Sequence, residues 1–402
     1  MVLWLVFTTG ACNLRCIYCG GSFEDRVVPW RVRVTGDGLA NLKRMVENDP
    51  EATVIFYGGE PLLNYRFIEW FINNVRASRW GIQTNGTLYR LLPDEYWRRM
   101  DVVLLSIDGR REVTDAHRGR GVYDNVISAL NHIKGLGVRH IIARMAVTKL
   151  TDIYTDVKHL LDIGFPMVHW QLDVIWDSRW DLRRWALESY LPGIDRLVEM
   201  FLRSLEKGVV LGIVPILGVL SAYLFKPYEG PPCGAGYRAV AVTTDGRVLA
   251  CPIAVREDWA VLGDVYRGFR LMNIKEHLPE MCLKCEYRPY RGGRCLYAIR
   301  EGLKYWGPDG VMEVDWVTRE TIRRILSIGP RVRELIKGGV VKAEDVEWIK
   351  AYKSVKDAPE PVDLILIIVP RDYVHQVLEK AGGKWVKVVI VITTDFRRIR
   401  VH

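Results

Sequence analysis

The chain has 402 residues, of which 49% are hydrophobic and 26% are charged, and its formal net charge is +9. This length and composition predict a globular protein with about two or three folded units. Basic and acidic residues are interspersed without a long basic run, which indicates an ordinary solvated surface rather than a docking face for nucleic acid or an acidic peptide. We therefore expect no nucleic-acid partner.

Two apolar segments are candidates for export or membrane insertion. Residues 1–10 have no basic residue ahead of them and lead directly into a cysteine motif, which favours a first β-strand over a signal peptide. Residues 208–225 are uncharged and just long enough to cross a bilayer, but glycines and a proline interrupt them. We predict a buried strand at 209–214 followed by a short core helix, and hence a cytoplasmic protein with no membrane partner.

The first half of the chain alternates short apolar runs with longer amphipathic segments, a pattern typical of parallel βαβ units. We predict an α/β fold with an open partial (β/α)6 TIM-like barrel, whose active site lies at the carboxyl ends of the strands. The predicted strands are 3–8, 52–57, 80–84, 102–107, 140–147, 167–173 and 209–214. The predicted helices are 39–47, 65–77, 94–100, 123–136, 152–163 and 182–205.

A Glu-Gly-Pro-Pro segment at 229–232 separates this pattern from a second region with different signals. There, predicted strands 238–243 and 247–252 flank a Thr-Asp-Gly hairpin turn. Charged helical segments follow at 318–326, 330–337 and 343–354, and the chain ends with a predicted strand, helix and strand at 362–369, 373–381 and 386–393. We therefore predict three domains: a barrel (1–228), a small cysteine-rich domain (229–306) and a helical and α/β tail (307–402).

Eight cysteines, three within the first twenty residues and five from Cys233 to Cys295, point to metal binding. Cys12, Cys16 and Cys19 directly follow the first predicted strand. Three thiolates suit an iron–sulfur cluster and leave one iron of a four-iron cluster open to another ligand. A zinc site requires a fourth ligand, but no further Cys or His occurs before His117.

This motif resembles the cluster loop of the radical S-adenosylmethionine (SAM) superfamily, and the resemblance extends over about residues 1–215. It implies a [4Fe–4S] cluster on Cys12, Cys16 and Cys19, with the amino and carboxylate groups of SAM on the open iron. One electron from the cluster then cleaves SAM to a 5′-deoxyadenosyl radical. Tyr18, just before the last cysteine, would lie against the adenine.

Further motifs of that superfamily follow in the same order, each at the end of a predicted strand. By resemblance, the Gly-Gly-Glu-Pro motif holds the amino group of SAM, Ser106 contacts the ribose and Arg118 pairs with the carboxylate. A turn, a strand-end cap and a surface arginine are the structural alternatives. The predicted cofactor-binding residues are Tyr18, Gly58, Gly59, Glu60, Pro61, Asn85, Ser106, Asp108 and Arg118.

The second cysteine region resembles the auxiliary-cluster extension called SPASM and its shorter twitch variant. Relative to the full SPASM pattern, Arg291 occupies the place of one cysteine, and the last cysteine is absent. The resemblance implies one auxiliary [4Fe–4S] cluster on Cys233, Cys251 and two of the three cysteines Cys282, Cys285 and Cys295. The SPASM alignment favours Cys295 and the twitch pattern favours Cys282 with Cys285, while a zinc site and a second, incompletely ligated cluster are alternatives.

SPASM regions accompany radical enzymes that modify peptides and proteins, so the resemblance implies peptide maturation, with an electron donor such as ferredoxin or flavodoxin. Pro252 stands where the sulfatase-maturing branch has an aspartate, which argues against formylglycine formation. Gln171 and Asp173, at the end of the sixth predicted strand, are candidate substrate contacts. The alternatives are radical dehydrogenation or rearrangement of a small molecule and, outside enzymes, an iron–sulfur electron carrier or a zinc-held scaffold.

Overall fold

The structure is a computed structural model that describes residues 2–173, 181–293 and 295–347, together with the backbone of 362–368 and 386–392. The chain forms two compact units, Met1–Trp348 and Ile349–His402. In the second unit, β12 (Val362–Ile368) and β13 (Val386–Ile392) pair in parallel. Each is one residue shorter than the strand predicted there. The helix predicted at 373–381 lies outside the described residues, and the three-domain division stays a prediction.

The first unit is built on one sheet with the strand order β11-β10-β9-β8-β1-β2-β3-β4-β5-β6-β7. Strands β1 to β7 are parallel to their neighbours, and β8 joins the free side of β1, also in parallel. This sheet confirms the predicted open parallel α/β barrel. Its strands are β1 (Leu3–Thr9), β2 (Thr53–Gly58), β3 (Arg79–Thr84), β4 (Val102–Ser106), β5 (His140–Val147), β6 (Met167–Leu172), β7 (Gly212–Ile213), β8 (Ala239–Val242), β9 (Arg247–Leu249), β10 (Val261–Asp264) and β11 (Gly268–Phe269).

Amphipathic helices cover one face of the parallel strands and form the main core with them. In α6, for example, Ile153, Val157 and Leu160 recur at helical spacing and are buried, and the Asp152 carboxylate accepts from the backbone N–H of Thr155 as an N-cap. The helices of this part are α1 (Asp37–Glu47), α2 (Tyr65–Asn74), α3 (Asp94–Trp97), α4 (Arg111–Arg118), α5 (Val122–Gly135), α6 (Ile153–Asp162), α7 (Leu182–Trp185), α8 (Leu191–Leu205) and α9 (Val214–Leu224).

The seventh strand is shorter than predicted. Only Gly212–Ile213 pairs with β6, and Val209 is 53% exposed rather than buried. Pro215 lies in the first turn of α9, where its fixed φ suits a helix and where it has no N–H to give to a sheet. The apolar segment therefore forms an 11-residue core helix, and among the described residues no helix has the length and apolar character to span a bilayer.

The region after 229 continues the sheet with antiparallel strands and then becomes helical. The predicted hairpin is confirmed as β8 and β9, although both strands are shorter than expected. The helix predicted at 318–326 is part of a longer helix that bends at Gly307, whose φ of 71° is left-handed, just before Pro308. The helices are α10 (Ile274–His277), α11 (Glu280–Leu283), α12 (Arg288–Arg291), α13 (Leu296–Ser327), α14 (Gly329–Lys337) and α15 (Ala343–Val346).

Candidate active site

Four neighbouring parallel strands bring most of the predicted cofactor residues to one edge of the sheet. The loop after β1 carries the first three cysteines and Tyr18, and the loop after β2 carries the Gly-Gly-Glu-Pro motif. Asn85 directly follows β3, and Ser106 ends β4. Because the carboxyl ends of parallel strands lie side by side, motifs separated by up to a hundred residues meet there.

The first cysteine loop places a thiolate beside a guanidinium. The Cys16 thiol donates a hydrogen bond to Cys19. This bond, the N–H of Gly21 and the Arg118 charge together outweigh burial and lower the pKa of Cys19 to about 6. Burial raises the pKa of Cys12. Gly20 and Gly21 both have left-handed φ angles, so the backbone turns sharply behind the last thiol. The loop thus supplies soft ligands next to a fixed positive charge.

Glu60 ties the ends of β2 and β3 together. Its carboxylate is fully buried and accepts from Thr84 Oγ1 at 2.6 Å, from the N–H of Asn85 at 2.8 Å and from the N–H of Leu62 at 3.0 Å. Burial raises the pKa of Glu60 to about 7, although these three hydrogen bonds favour the ionised form. In this structure, the Glu60 carboxylate therefore binds donors of the protein itself and holds the ends of β2 and β3 together.

The two glycines before Glu60 allow a close backbone approach. Gly58 has a φ of 151°, and a Cβ there would lie 2.3 Å from the carbonyl oxygen of Thr9. A Cβ on Gly59 would lie 2.2 Å from the carbonyl oxygen of Ala11, next to Cys12. Any larger residue would push the cysteine loop away from β2.

Asp108 is the centre of a buried polar network. Arg118 donates to it from Nε at 2.8 Å and from Nη2 at 2.9 Å, and the Tyr18 hydroxyl donates at 2.9 Å. The N–H of Ala146 on β5 also donates to Asp108, at 2.8 Å. Burial alone would raise the pKa of Asp108, but the Arg118 charge and the hydrogen bonds to the carboxylate lower it to about 2. Asp108 therefore stays ionised and holds both Arg118 and the tyrosine of the cysteine loop.

Two features of this site were not predicted. Helix α4, which delivers Arg118, is short and mostly polar, so it has no apolar periodicity to reveal it. Asn13, inside the cysteine loop, accepts from Asn85 Nδ2 at 2.9 Å and donates to Thr87 Oγ1 at 2.8 Å. A polar residue directly after Cys12 was the only available signal, and it does not specify a partner.

The candidate substrate contacts lie on β6 or just beyond it. Gln171 is exposed, and Asp173 is half-buried and donates its N–H to the carbonyl of Val147 on the neighbouring strand. Residues 174–180, which follow, lie outside the described part of the chain. The structure therefore places both residues at the carboxyl edge of the sheet, and their contact with a substrate stays a prediction.

The five later cysteines form two groups. Cys233, Cys251 and Cys295 are close enough for each of the first two thiols to have its pKa raised by the charge of Cys295, in addition to the larger effect of burial. Burial and the charge of Cys295 together raise the pKa of Cys233 to about 11. By contrast, the charges of Cys282 and Cys285 act on Arg291 and raise its pKa.

Arg291 occupies the position where the SPASM pattern has a cysteine. Its Nη2 donates to Cys285 Sγ at 3.0 Å, and its Nη1 pairs with Asp315. Both charged side chains are only 5% exposed. Asp315 also accepts from Arg319 Nε at 2.6 Å. An ion pair thus fills the space beside Cys285.

No three Cys, His, Asp or Glu side chains in the described part of the chain meet as ligands of a single metal ion. A four-iron cluster holds its thiolates on different irons, so its ligands lie farther apart than those of a single ion. The two three-cysteine groups are compatible with clusters, whereas the single-zinc alternative has no such support among these residues.

Known proteins resemble most of the chain. Residues 6–162 match the family model described as the Radical SAM superfamily. The sequence is 25% identical to the mycofactocin maturase MftC of Mycobacterium tuberculosis over 332 residues, which are 75% of this chain and 80% of MftC. The fold matches the solved structure of native anSMEcpe with bound AdoMet at a TM-score of 0.63 and 19% identity, over 83% of this chain and 99% of the other.

A short stretch resembles a different class of protein. Over 56 residues, 14% of this chain, the sequence is 50% identical to the alpha subunit of ADP-forming acetate–CoA ligase II from Pyrococcus furiosus. The match spans only 12% of that subunit. It therefore carries no conclusion about the activity of this chain.

Proposed function

Because the chain carries a radical SAM domain over residues 6–162, we propose that this enzyme reductively cleaves SAM and modifies a peptide or protein with the resulting radical. The observation that carries the proposal is the meeting of the first cysteine loop, Glu60 and the Asp108–Arg118 pair at the ends of four neighbouring strands. When bound, a [4Fe–4S] cluster supplies the electron that breaks the C–S bond of SAM, giving methionine and a 5′-deoxyadenosyl radical.

The residues of the first loop fit such a cluster. Cys12, Cys16 and Cys19 would hold it, and the Arg118 charge favours the thiolate form of Cys16 and Cys19, which ligation requires. Asp108 uses only Nε and Nη2 of Arg118, so in the described part of the chain Nη1 remains for the carboxylate of SAM. The proposed cofactor contacts remain Tyr18, Gly58, Gly59, Glu60, Pro61, Asn85, Ser106, Asp108 and Arg118.

The grouping of the later cysteines supports one auxiliary cluster rather than two. We assign it to Cys233, Cys251 and Cys295, whose thiols act on one another. A second cluster does not fit at Cys282 and Cys285, because the buried Arg291–Asp315 pair occupies the neighbouring space. At the position where this second cluster would need its third cysteine, the chain has Arg291, which is already paired with Asp315.

The polypeptide substrate is supported by the similarity to MftC, a maturase by name, over three quarters of the chain. A protein that shares this fold, anSMEcpe, has also been solved with both AdoMet and a peptide bound. Gln171 and Asp173 lie at the same edge of the sheet and are proposed to contact the substrate. We further propose a ferredoxin or flavodoxin as the electron donor and the reducing cytoplasm as the location, since free thiols persist there.

The test is 5′-deoxyadenosine formation by protein reconstituted with iron and sulfide, without oxygen, and reduced with dithionite in the presence of SAM. We expect the wild type to form it, and a C12A/C16A/C19A variant to form none and to lose about four irons per chain. The matched control is C282A/C285A, which we expect to retain cleavage. A wild type that binds its full iron complement and leaves SAM intact would favour an electron carrier or scaffold instead.

A further inference from the structure

Arg144 is a charged residue in the middle of strand β5. Along this strand Ile141, Ala143, Met145 and Val147 are buried against the helices, whereas Arg144 and its alternate neighbours are only half-buried and face the other side of the sheet. Its register partners are Ser106 on β4 and His169 on β6. The arginine therefore lies on the inner face of the barrel, in the same row as the predicted ribose contact.

No carboxylate in the described part of the chain pairs with Arg144, and its guanidinium makes no hydrogen bond there. Two other arginines, Arg118 and Arg291, are buried and each pairs with a carboxylate, Asp108 and Asp315 respectively. A half-buried guanidinium without a counter-charge is a natural binding partner for an anionic ligand, which supplies that counter-charge. Burial accordingly lowers the pKa of Arg144, although an arginine remains charged throughout the physiological range.

The nearest titratable groups on the inner face provide no negative charge. Burial raises the pKa of Tyr57, on β2, to about 12, so its phenol is neutral. Burial and the charge of Arg144 lower the pKa of His169 well below its usual value, so this imidazole is also neutral. The other groups whose charges act on Arg144 are Arg118, Tyr18 and Cys233.

The charges that act on Arg144 come from both cysteine groups. Tyr18 and Arg118 belong to the network around the first cysteine loop, and Cys233 belongs to the proposed auxiliary site. A ligand that binds Arg144 is therefore held on the inner face of the barrel, in the same row as Ser106 and His169. This is where a substrate must lie to react with a radical formed at the first site.

We propose that Arg144 binds a carboxylate of the substrate, either the C-terminal carboxylate of a peptide or the side chain of an acidic residue. The planar guanidinium offers paired donors that match a carboxylate, and no protein group in the described chain competes for them. The carboxylate of SAM is the other possible source, but Arg118 already serves that end of the site. The inference rests on the proposed function, since it names the class of substrate for the same site.

The test uses reconstituted full-length wild type, R144Q and R144K with three pools of N-acetylated tripeptides. The first pool has free C-terminal carboxylates and no acidic side chains, the second has C-terminal amides with Asp or Glu, and the third has amides without acidic residues. Retained peptides are measured by equilibrium dialysis and mass spectrometry in the presence of SAM. R111Q serves as the matched control, because Arg111 is exposed and pairs with Asp124 away from the site.

We expect wild type and R111Q to retain the first or the second pool, whichever carries the carboxylate that is bound, and not the third. R144Q should lose this retention at least tenfold, and R144K should fall between them, since lysine keeps the charge but not the planar fork. Equal retention by R144Q, or no preference for acids in the wild type, overturns the inference. So does a tenfold loss of SAM binding in R144Q, which would assign the arginine to the cofactor.

Failure of the inference remains distinguishable from failure of the proposed function. 5′-Deoxyadenosine formation without peptide tests SAM cleavage alone, and we expect the wild type and R111Q to show it. If they cleave SAM and retain no acidic peptide, the inference fails while the proposed function stands. If R144Q shifts the reduction potential of the auxiliary cluster and leaves peptide retention unchanged, Arg144 acts on the cluster and not on the substrate.

Discussion

At the scale of single residues, burial and hydrogen bonding act in opposite directions on the two buried carboxylates of the site. Asp108 has a full positive charge against it and is ionised, whereas Glu60 has only neutral donors. The result is a pKa of about 2 for Asp108 and about 7 for Glu60. One carboxyl group is therefore a permanent anion, and the other titrates near neutrality.

This difference predicts a pH dependence of stability that belongs to Glu60. Its pKa rises from about 4.5 in the unfolded chain to about 7 in the folded one, so between these values the folded state binds more protons. The free energy of unfolding should therefore fall as pH rises from about 4.5 to 7, by at most about 3 kcal/mol. Denaturant unfolding of the wild type and E60Q across this range measures the effect.

In E60Q, the part of the pH slope that comes from Glu60 should disappear, whatever the absolute stability of the variant. T155S, at a half-buried position in the first turn of α6, is a suitable control, because it changes no titratable group. If wild type and E60Q show the same slope, the titration of Glu60 does not contribute to stability in this range.

At the scale of elements, one ion pair joins two helices of the cysteine-rich region. Arg291 ends α12 and Asp315 lies in the middle of α13, and both are buried. Removing one partner of a buried pair leaves an uncompensated charge, whereas replacing both with apolar residues removes the problem. The pair therefore sets the position of α12 against α13 more than it adds net stability.

We accordingly predict that D315L alone lowers the free energy of unfolding by about 3–5 kcal/mol, and that R291M/D315L restores most of the loss. Denaturant unfolding of the two variants and the wild type gives the comparison. R319Q serves as the control, since Arg319 is partly exposed and should cost about 1 kcal/mol or less. Equal losses in the single and the double variant would contradict this account.

At the scale of the whole molecule, the proposed site draws on four strand ends, one loop and one helix of the first unit. A ligand that contacts all of them binds the folded state only, so its binding free energy adds to the stability of the whole unit. The unfolding of the enzyme should therefore respond to SAM as one cooperative system.

We predict that SAM at about a hundred times its Kd raises the free energy of unfolding of the reconstituted protein by about 2.7 kcal/mol. Thermal unfolding without oxygen, with and without SAM, provides the measurement. C12A/C16A/C19A should show little of this increase, because it lacks the cluster to which SAM would bind. An equal increase in that variant would place SAM binding away from the first cysteine loop.

Local patterns in the sequence were sufficient for the barrel and for the location of the first site. Strand β5 was predicted with its observed bounds because His140–Val147 is a short apolar run between two amphipathic segments. The cysteine loop was located because ligand spacing is a property of adjacent residues. Helix α4 escaped prediction because polar residues form it. The seventh strand was wrong over most of its length: Val209 is exposed rather than buried, and Val214 already belongs to helix α9.

The sequence by itself determined the succession of parallel strands and helices along the barrel, the position of each motif at a strand end and the presence of two cysteine regions. Only the tertiary structure decided which side chains meet: Cys295 with Cys233 and Cys251, Arg291 with Asp315, and Arg144 with no carboxylate in the described chain. The physical reason is the distance along the chain over which each kind of interaction acts. Periodicity and spacing act over a few residues, whereas a charge or a thiol acquires its partner from whichever distant segment packs against it.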